Sequence, residues 1–135
     1  MKPTQISPML AVSDPAAAID FYKRAFGAEE RWRIGDPAEV AGLSIDGAEF
    51  FLARESPPNG TRSPDSAGHT SVRIELFVDD PDKLVERALA AGATPAAPVE
   101  DHEVPWGTHR QGGFTDPFGH NWSVGDKSPL RRFEG

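Results

Sequence analysis

The chain contains no cysteine. That excludes disulfides, thiolate metal sites and a cysteine nucleophile. No apolar run approaches the ~20 residues of a membrane-spanning helix, and the N-terminal MKPTQISPML lacks the long apolar core of a secretory signal. A cytoplasmic protein with no membrane partner is the expectation. Positive charge is in short supply: 14 Lys and Arg stand against 21 Asp and Glu, a formal net charge of -7. Phosphate backbones are held by clustered cations, so nucleic acid is not an expected partner, and the few basic residues of KSPLRRFEG do not alter this. The acidic balance is compatible with a cationic or amphipathic ligand. Familiar catalytic signatures are missing too. The serines lack a Gly-x-Ser-x-Gly setting, the glycines of GAEFF and QGG form no phosphate-binding fingerprint, and Asp79-Asp80 reads as a helix cap.

What the chain does have is a repeat. LAVSDPAAAIDFYKRAFGAEE (10–30) parallels LFVDDPDKLVERALAAGATPA (76–96), with a one-residue gap inside the helix. Val12, Asp14, Pro15, Gly27 and Ala28 match Val78, Asp80, Pro81, Gly92 and Ala93. Asp14 and Asp80 suit the N-cap, where a short side-chain oxygen accepts from orphan backbone N–H groups. Pro15 and Pro81 then fall at the first helical position, where a missing N–H costs nothing. Ile19, Tyr22 and Phe26, and Leu84, Ala88 and Ala91, recur at helical spacing. Gly27 and Gly92 are expected to end the helices in the left-handed conformation.

The remainder of each half reads as strands. Asp46-Gly47 between two apolar runs predicts a hairpin within 42–55. VRIELFV (72–78) alternates and is rich in branched and aromatic residues, which predicts a strand. TPAAPVE and QGGFTDPFGHNWSV are further strand candidates, the latter turning at Asp116-Pro117-Phe118-Gly119. The stretch 56–69, rich in proline, glycine and serine, predicts a loop between the halves. The expected organisation is one domain over 1–135, with module one at about 1–60 and module two at about 69–126. Each module must bury one sheet face under its helix, and two such units can border a pocket for a small molecule.

Three segments, VSDPAAAIDFYKRAFGAEE, FVDDPDKLVERALAAGAT and PWGTHRQGGFTDPFGHNWSV, together with their spacing, resemble the vicinal oxygen chelate superfamily: glyoxalase I, bleomycin-resistance proteins and extradiol dioxygenases. The first and last look most like its PhnB-like branch, with Trp106, Gly107 and Arg110 in the turn before Asp-Pro-Phe-Gly-His-x-Trp. The resemblance implies an α+β fold of two tandem βαβββ modules, a curved mixed sheet around a cleft. In metal-dependent members a divalent cation sits in that cleft, held by His, Glu or Gln on the first and fourth strands of each module. Those positions correspond here to Ser7, Phe51, Arg73 and Ser123. None is a good ligand: a serine hydroxyl binds weakly, a phenyl ring cannot bind, and Arg73 repels a cation. Glu75, two residues along, would still be one carboxylate where catalytic zinc takes three protein ligands. No metal and no other cofactor is therefore expected.

The leading expectation is a small-molecule-binding homodimer whose cleft is lined by Ser7, Phe51, Arg73, Glu75, Trp106 and Ser123. Arg73 would fix an anionic or carbonyl group, Glu75 a donor, and Trp106 and Phe51 would stack or cover. Alternatives are a lyase, isomerase or dioxygenase of the same superfamily, using either a displaced metal or Glu75 as a metal-free general base, and a dimeric interaction module with an empty cleft. Of the four histidines, His69, His102, His109 and His120 are expected in surface or turn-stabilising roles. His102, Glu103 and His109 form the one cluster worth testing for a displaced metal. By strand alternation, Arg73, Glu75 and Phe77 share a face opposite Val72, Ile74 and Leu76, and Trp122 faces away from Ser123.

Overall fold

The computed structural model describes residues 3–131. The first half runs β1 (Met9–Val12), α1 (Pro15–Phe26), β2 (Glu29–Ile34), β3 (Val40–Ile45) and β4 (Ala48–Arg54). The second runs β5 (Arg73–Phe77), α3 (Pro81–Ala90), β6 (Thr94–Pro95), β7 (Glu100–Val104), β8 (Gly107–Thr115) and β9 (Asn121–Gly125). Between them lie a single 3-10 turn at Pro57–Asn59 and the short α2 (Pro64–Ala67), and α4 (Ser128–Arg131) follows β9.

The strands form two mixed sheets, ordered β1-β4-β3-β2 and β5-β9-β8-β6, with β7 continuing the edge of β8 beyond β6. In both, the strand before the helix pairs parallel to the last strand, and the other pairings are antiparallel. This is the α+β architecture expected from the repeat.

Both helices start as their sequences dictate. Asp14 accepts from the N–H of Ala17 at 3.2 Å and Asp80 from that of Lys83 at 3.1 Å, with Pro15 and Pro81 opening the helices. Their ends differ. Gly27 caps α1 in the left-handed region (φ 68), as expected, whereas Ala91 caps α3 in the right-handed region and Gly92 follows at φ 120. The hairpin at Asp46-Gly47 forms with positive φ at both residues (51 and 91).

The halves join through their backs. Arg87 donates from Nε to the carbonyl of Arg24 at 2.7 Å, and Arg24 donates to the carbonyl of Ala91 at 3.1 Å, so each helix C-terminus receives a guanidinium from the other helix. Beneath them lies a shared aromatic layer. Phe26 of α1 lies 4.7 Å from Trp122 and 5.8 Å from Phe114, ring centre to ring centre, and Tyr22 lies 5.4 Å from Phe50. All are buried, and each such side chain contributes roughly 1.5–3 kcal/mol relative to leaving it in water. Asp116 sits inside this layer. Oδ2 accepts from Tyr22 and Trp122, and Oδ1 accepts from the N–H groups of Phe118 and His120. The Asp-Pro-Phe-Gly turn is thus held from within.

Three readings change. The loop at 56–69 is partly helical and docked. Glu55 accepts from Ser63 and Ser66, and Ser63 and Asp65 both donate to the carbonyl of Phe118. TPAAPVE is strand only at Thr94–Pro95 and Glu100, and Pro98, which cannot donate to a ladder, lies in the gap. Two strands, β2 and β7, escaped the sequence reading. Both are exposed edge strands with charged side chains and no clean apolar alternation.

Candidate functional site

Each sheet has a face turned away from the helices, and register shows what lies on it. In the first sheet Met9 pairs with Phe51, Phe51 with Gly42 and Gly42 with Trp32, one row across four strands. In the second, Glu75 pairs with Ser123 and Ser123 with Gly113. The rows are equivalent: Met9 and Glu75 hold the same place ahead of the capping aspartates Asp14 and Asp80. One row is apolar and the other polar.

The first row is an aromatic platform. Trp32 lies against Gly42 so closely that a Cβ there would stand 2.5 Å from the indole, and its ring centre is 5.8 Å from that of Phe51. Trp32, Met9 and the neighbouring Ile34 are 43%, 55% and 61% exposed. A cavity of about 140 Å³ here is bordered by Arg31, Glu49 and these rings. Ser7, ahead of β1, lies at the sheet's end beside Gly47 and Ala48.

The second row borders a larger cavity, about 400 Å³, whose polar lining is Arg73, His102, Gln111, Asn121 and Ser123 around Gly112 and Gly113. Gly113 leaves no room for a side chain on this floor: a Cβ there would meet the carbonyl of Trp122 at 2.6 Å, while a Cβ on Gly112, on the opposite face, would meet Val99 at 2.7 Å. Ser123 is buried and accepts from the side-chain amide of Gln111. Asn121 accepts from Thr115 at 3.0 Å, which leaves its amide hydrogens directed elsewhere. Arg73 pairs with Glu75 at 2.8 Å, and both are exposed, so water screens the pair strongly.

The structure therefore brings Arg73, Glu75 and Ser123 onto one face of the second sheet, and Phe51 to the matching place on the first. Trp106 lies elsewhere, in the turn between β7 and β8, where its indole N–H donates to Ser128 at 3.0 Å. Trp122 is buried in the aromatic layer, as alternation predicts. Sequence reading missed Gln111 and Asn121, and it considered His102 only as part of a displaced metal cluster with Glu103 and His109. The register of β8 against β9 through the turn at 116–119 carries that information, since Gln111, Gly113 and Thr115 alternate onto the face of Ser123.

The histidines divide. Nε2 of His120 lies 2.8 Å from the carbonyl oxygen of Ala11 and so carries the hydrogen. His109 is buried with Nδ1 2.7 Å from Asp126. Burial alone would raise the Asp126 carboxyl, but the N–H of Arg110, the hydroxyl and N–H of Ser128 and the His109 ring together hold it well below the usual carboxylate range. His102 is exposed directly opposite His109, and alternation puts Glu103 on the other face. Among the described residues no three His, Asp or Glu side chains assemble into a group able to hold a metal ion.

A divalent cation at the four strand positions does not fit this chain. Phe51 offers no lone pair, Arg73 brings a fixed positive charge to the cavity wall, and the hydroxyl of Ser123 is engaged by Gln111.

Fold and face together define a class. The family model described as "Glyoxalase/Bleomycin resistance protein/Dioxygenase superfamily" matches residues 5–124, and the chain belongs to this superfamily. An uncharacterised protein of Mycobacterium tuberculosis (strain ATCC 25618 / H37Rv) is 43% identical over 132 residues, 93% of this chain and 75% of that protein. Among solved structures, TioX from Micromonospora sp. ML1 is similar at 31% identity and a TM-score of 0.70, covering 91% of this chain and 95% of its own. The fosfomycin resistance protein FosX from Mesorhizobium loti shares the fold, with a TM-score of 0.65 at 15% identity over 98% of this chain and 99% of its own.

Proposed function

We propose that this protein binds a small organic molecule on the helix-free face of its second sheet, with no metal at the family's usual position, and that it works as a cytoplasmic homodimer of the PhnB-like branch. The observation that carries the reading is the cavity of about 400 Å³ in which Arg73, Gln111, Asn121 and Ser123 converge over a glycine floor. A small number of placed polar groups in a concave site is the usual form of a ligand pocket. Arg73 presents a fork of donors to a carbonyl or an anionic oxygen, and Glu75 beside it accepts from a ligand N–H or O–H.

Dimerisation is favoured by the first sheet. Met9, Trp32, Ile34 and Phe51 form an apolar face that nothing in the described chain covers. Exposed apolar patches of this kind mark interaction surfaces. In the dimer this face roofs the partner's polar cavity, so that Phe51 and Trp32 stack on the ligand that Arg73 holds. Ser7 stands at the end of the first sheet, and Trp106 lies away from the cavity, hydrogen-bonded to Ser128.

A catalytic reading has one observation in its favour: Glu75 is the cross-strand neighbour of Ser123 on the cavity face. A carboxylate there is placed to move a proton in a lyase or isomerase reaction without a metal.

A thermal-shift screen of small molecules, run on the parent and on Arg73→Ala, tests the binding reading. Saturable stabilisation that falls at least tenfold in affinity in the variant supports it, and identical responses overturn it. Zn, Ni, Mn and Fe(II) salts in parallel test the metal: saturable stabilisation lost on replacing Glu75 or the histidines would overturn the metal-free assignment. Turnover lost in Glu75→Gln with ligand affinity kept would establish the catalytic reading.

A further inference from the structure

A cavity larger than that on the second sheet lies elsewhere, at the seam of the two halves. It is a groove of about 640 Å³ walled by the outer edges of β1 and β5 and by the linker 60–71, and it shares no lining residue with the cavity on the second sheet. β1 pairs only with β4 and β5 only with β9, so both edges facing the groove are unpaired. Unpaired edges present free N–H groups.

The charge in this groove runs against that of the chain. Asp and Glu outnumber Lys and Arg by 21 to 14, yet no carboxylate lines the groove, whose ionisable residues are Arg62, His69 and His120. Arg62 makes no hydrogen bond or ion pair among the described residues. His120, 9% exposed, forms part of the wall. Its Nε2 is taken by Ala11, while Nδ1 has no partner among the described residues and is reachable by solvent. Ser71 also lines the groove, while the Thr61 hydroxyl is engaged with the backbone of Ser56; the apolar side is Met9, Val72 and Ile74, with Met9 and Val72 55% and 65% exposed.

We propose that this groove is a second ligand site, built for an aliphatic monocarboxylate. The carboxylate meets Arg62, whose planar fork matches it, and is completed by imidazole, hydroxyl and edge N–H groups. The hydrocarbon lies along Met9, Val72 and Ile74, a mixed polar and apolar lining typical of small-molecule sites.

The test is an amide-resolved NMR titration of the full chain with sodium octanoate, 1-octanol and octyltrimethylammonium. Octanoate should shift the amides of Met9, Thr70, Ile74 and His120 saturably and bind at least fivefold tighter than the other two. Arg62→Gln, a change at a side chain with no hydrogen bond or ion pair to lose among the described residues, should erase that preference and leave octanol binding unchanged. Arg73→Ala should keep the octanoate response, which separates this site from the one on the second sheet. Equal binding of all three probes, shifts confined to Ser123 and Asn121, or an unaltered preference in Arg62→Gln would overturn the proposal. So would shifts of the Thr70, Ile74 and His120 amides with protein concentration alone, since a second copy would then occupy the groove; a shift confined to Met9 belongs to the face of the first sheet.

Discussion

The phenol of Tyr22 donates to Oδ2 of Asp116 at 2.5 Å, an internal bond from the helix of the first half to the turn of the second. Tyr22 is completely buried, and burial first, then the nearby Asp116 charge and this bond, push its ionisation well above the ordinary range of a tyrosine. Tyr22→Phe strips a buried carboxylate of one of its four donors and should cost about 1–3 kcal/mol in urea unfolding. Asp116→Ala orphans Tyr22, Trp122 and two backbone N–H groups and should cost more. The sign with pH follows. The folded state keeps the Tyr22 proton where the unfolded chain releases it, near pH 10. The stabilisation is therefore fully present below that pH and is lost as pH rises above it, more steeply in the parent than in Tyr22→Phe.

Asp126 should govern the acid side. Its carboxyl is held well below the usual range by Arg110, Ser128 and His109. A depressed carboxyl contributes stability that is present above its unfolded value of ~3.9 and disappears as pH falls toward the folded one. Between about pH 5 and 2 the melting temperature should drop less steeply in Asp126→Asn than in the parent, a difference that scanning calorimetry at several pH values measures directly.

Gly42 is required by Trp32. Gly42→Ala puts a methyl group 2.5 Å from the indole, so the ring must leave the sheet. Stability should change by about 1 kcal/mol or less, because Trp32 is half exposed. Acrylamide quenching of tryptophan should rise, and the affinity of any ligand stacked on Trp32 should fall.

The apolar face of the first sheet should decide assembly. Trp32→Asp or Met9→Asp puts a charge on a face that the dimer would cover, and should shift sedimentation equilibrium toward the monomer by tenfold or more. If both variants and the parent sediment alike, this face is not the interface.

Much of the fold was legible, because the repeat is chemical. An aspartate cap, a proline at the first helical position and a glycine exit recur in order, and the Asp46-Gly47 hairpin needs no partner to be recognised. The strand parity that places Arg73, Glu75 and Ser123 on one face is also local information. What eluded sequence reading depends on distant neighbours. β2 and β7 owe their extended form to the ladders of β3 and β8. The linker is ordered by Glu55 and by the carbonyl of Phe118, residues outside it. Gln111 and Asn121 enter the cavity only once β8 and β9 are in register, and the groove at Arg62 exists only when both halves and the linker stand together.

The exchange of guanidinium groups between Arg24 and Arg87 has a consequence for how such a chain can diverge. Two duplicated halves fastened spine to spine leave the two fronts of one chain facing away from each other. A substitution on one front does not disturb the mortar between the halves, so one copy could drift toward grease while its twin drifted toward salt, and the same scaffold could change clients without being rebuilt.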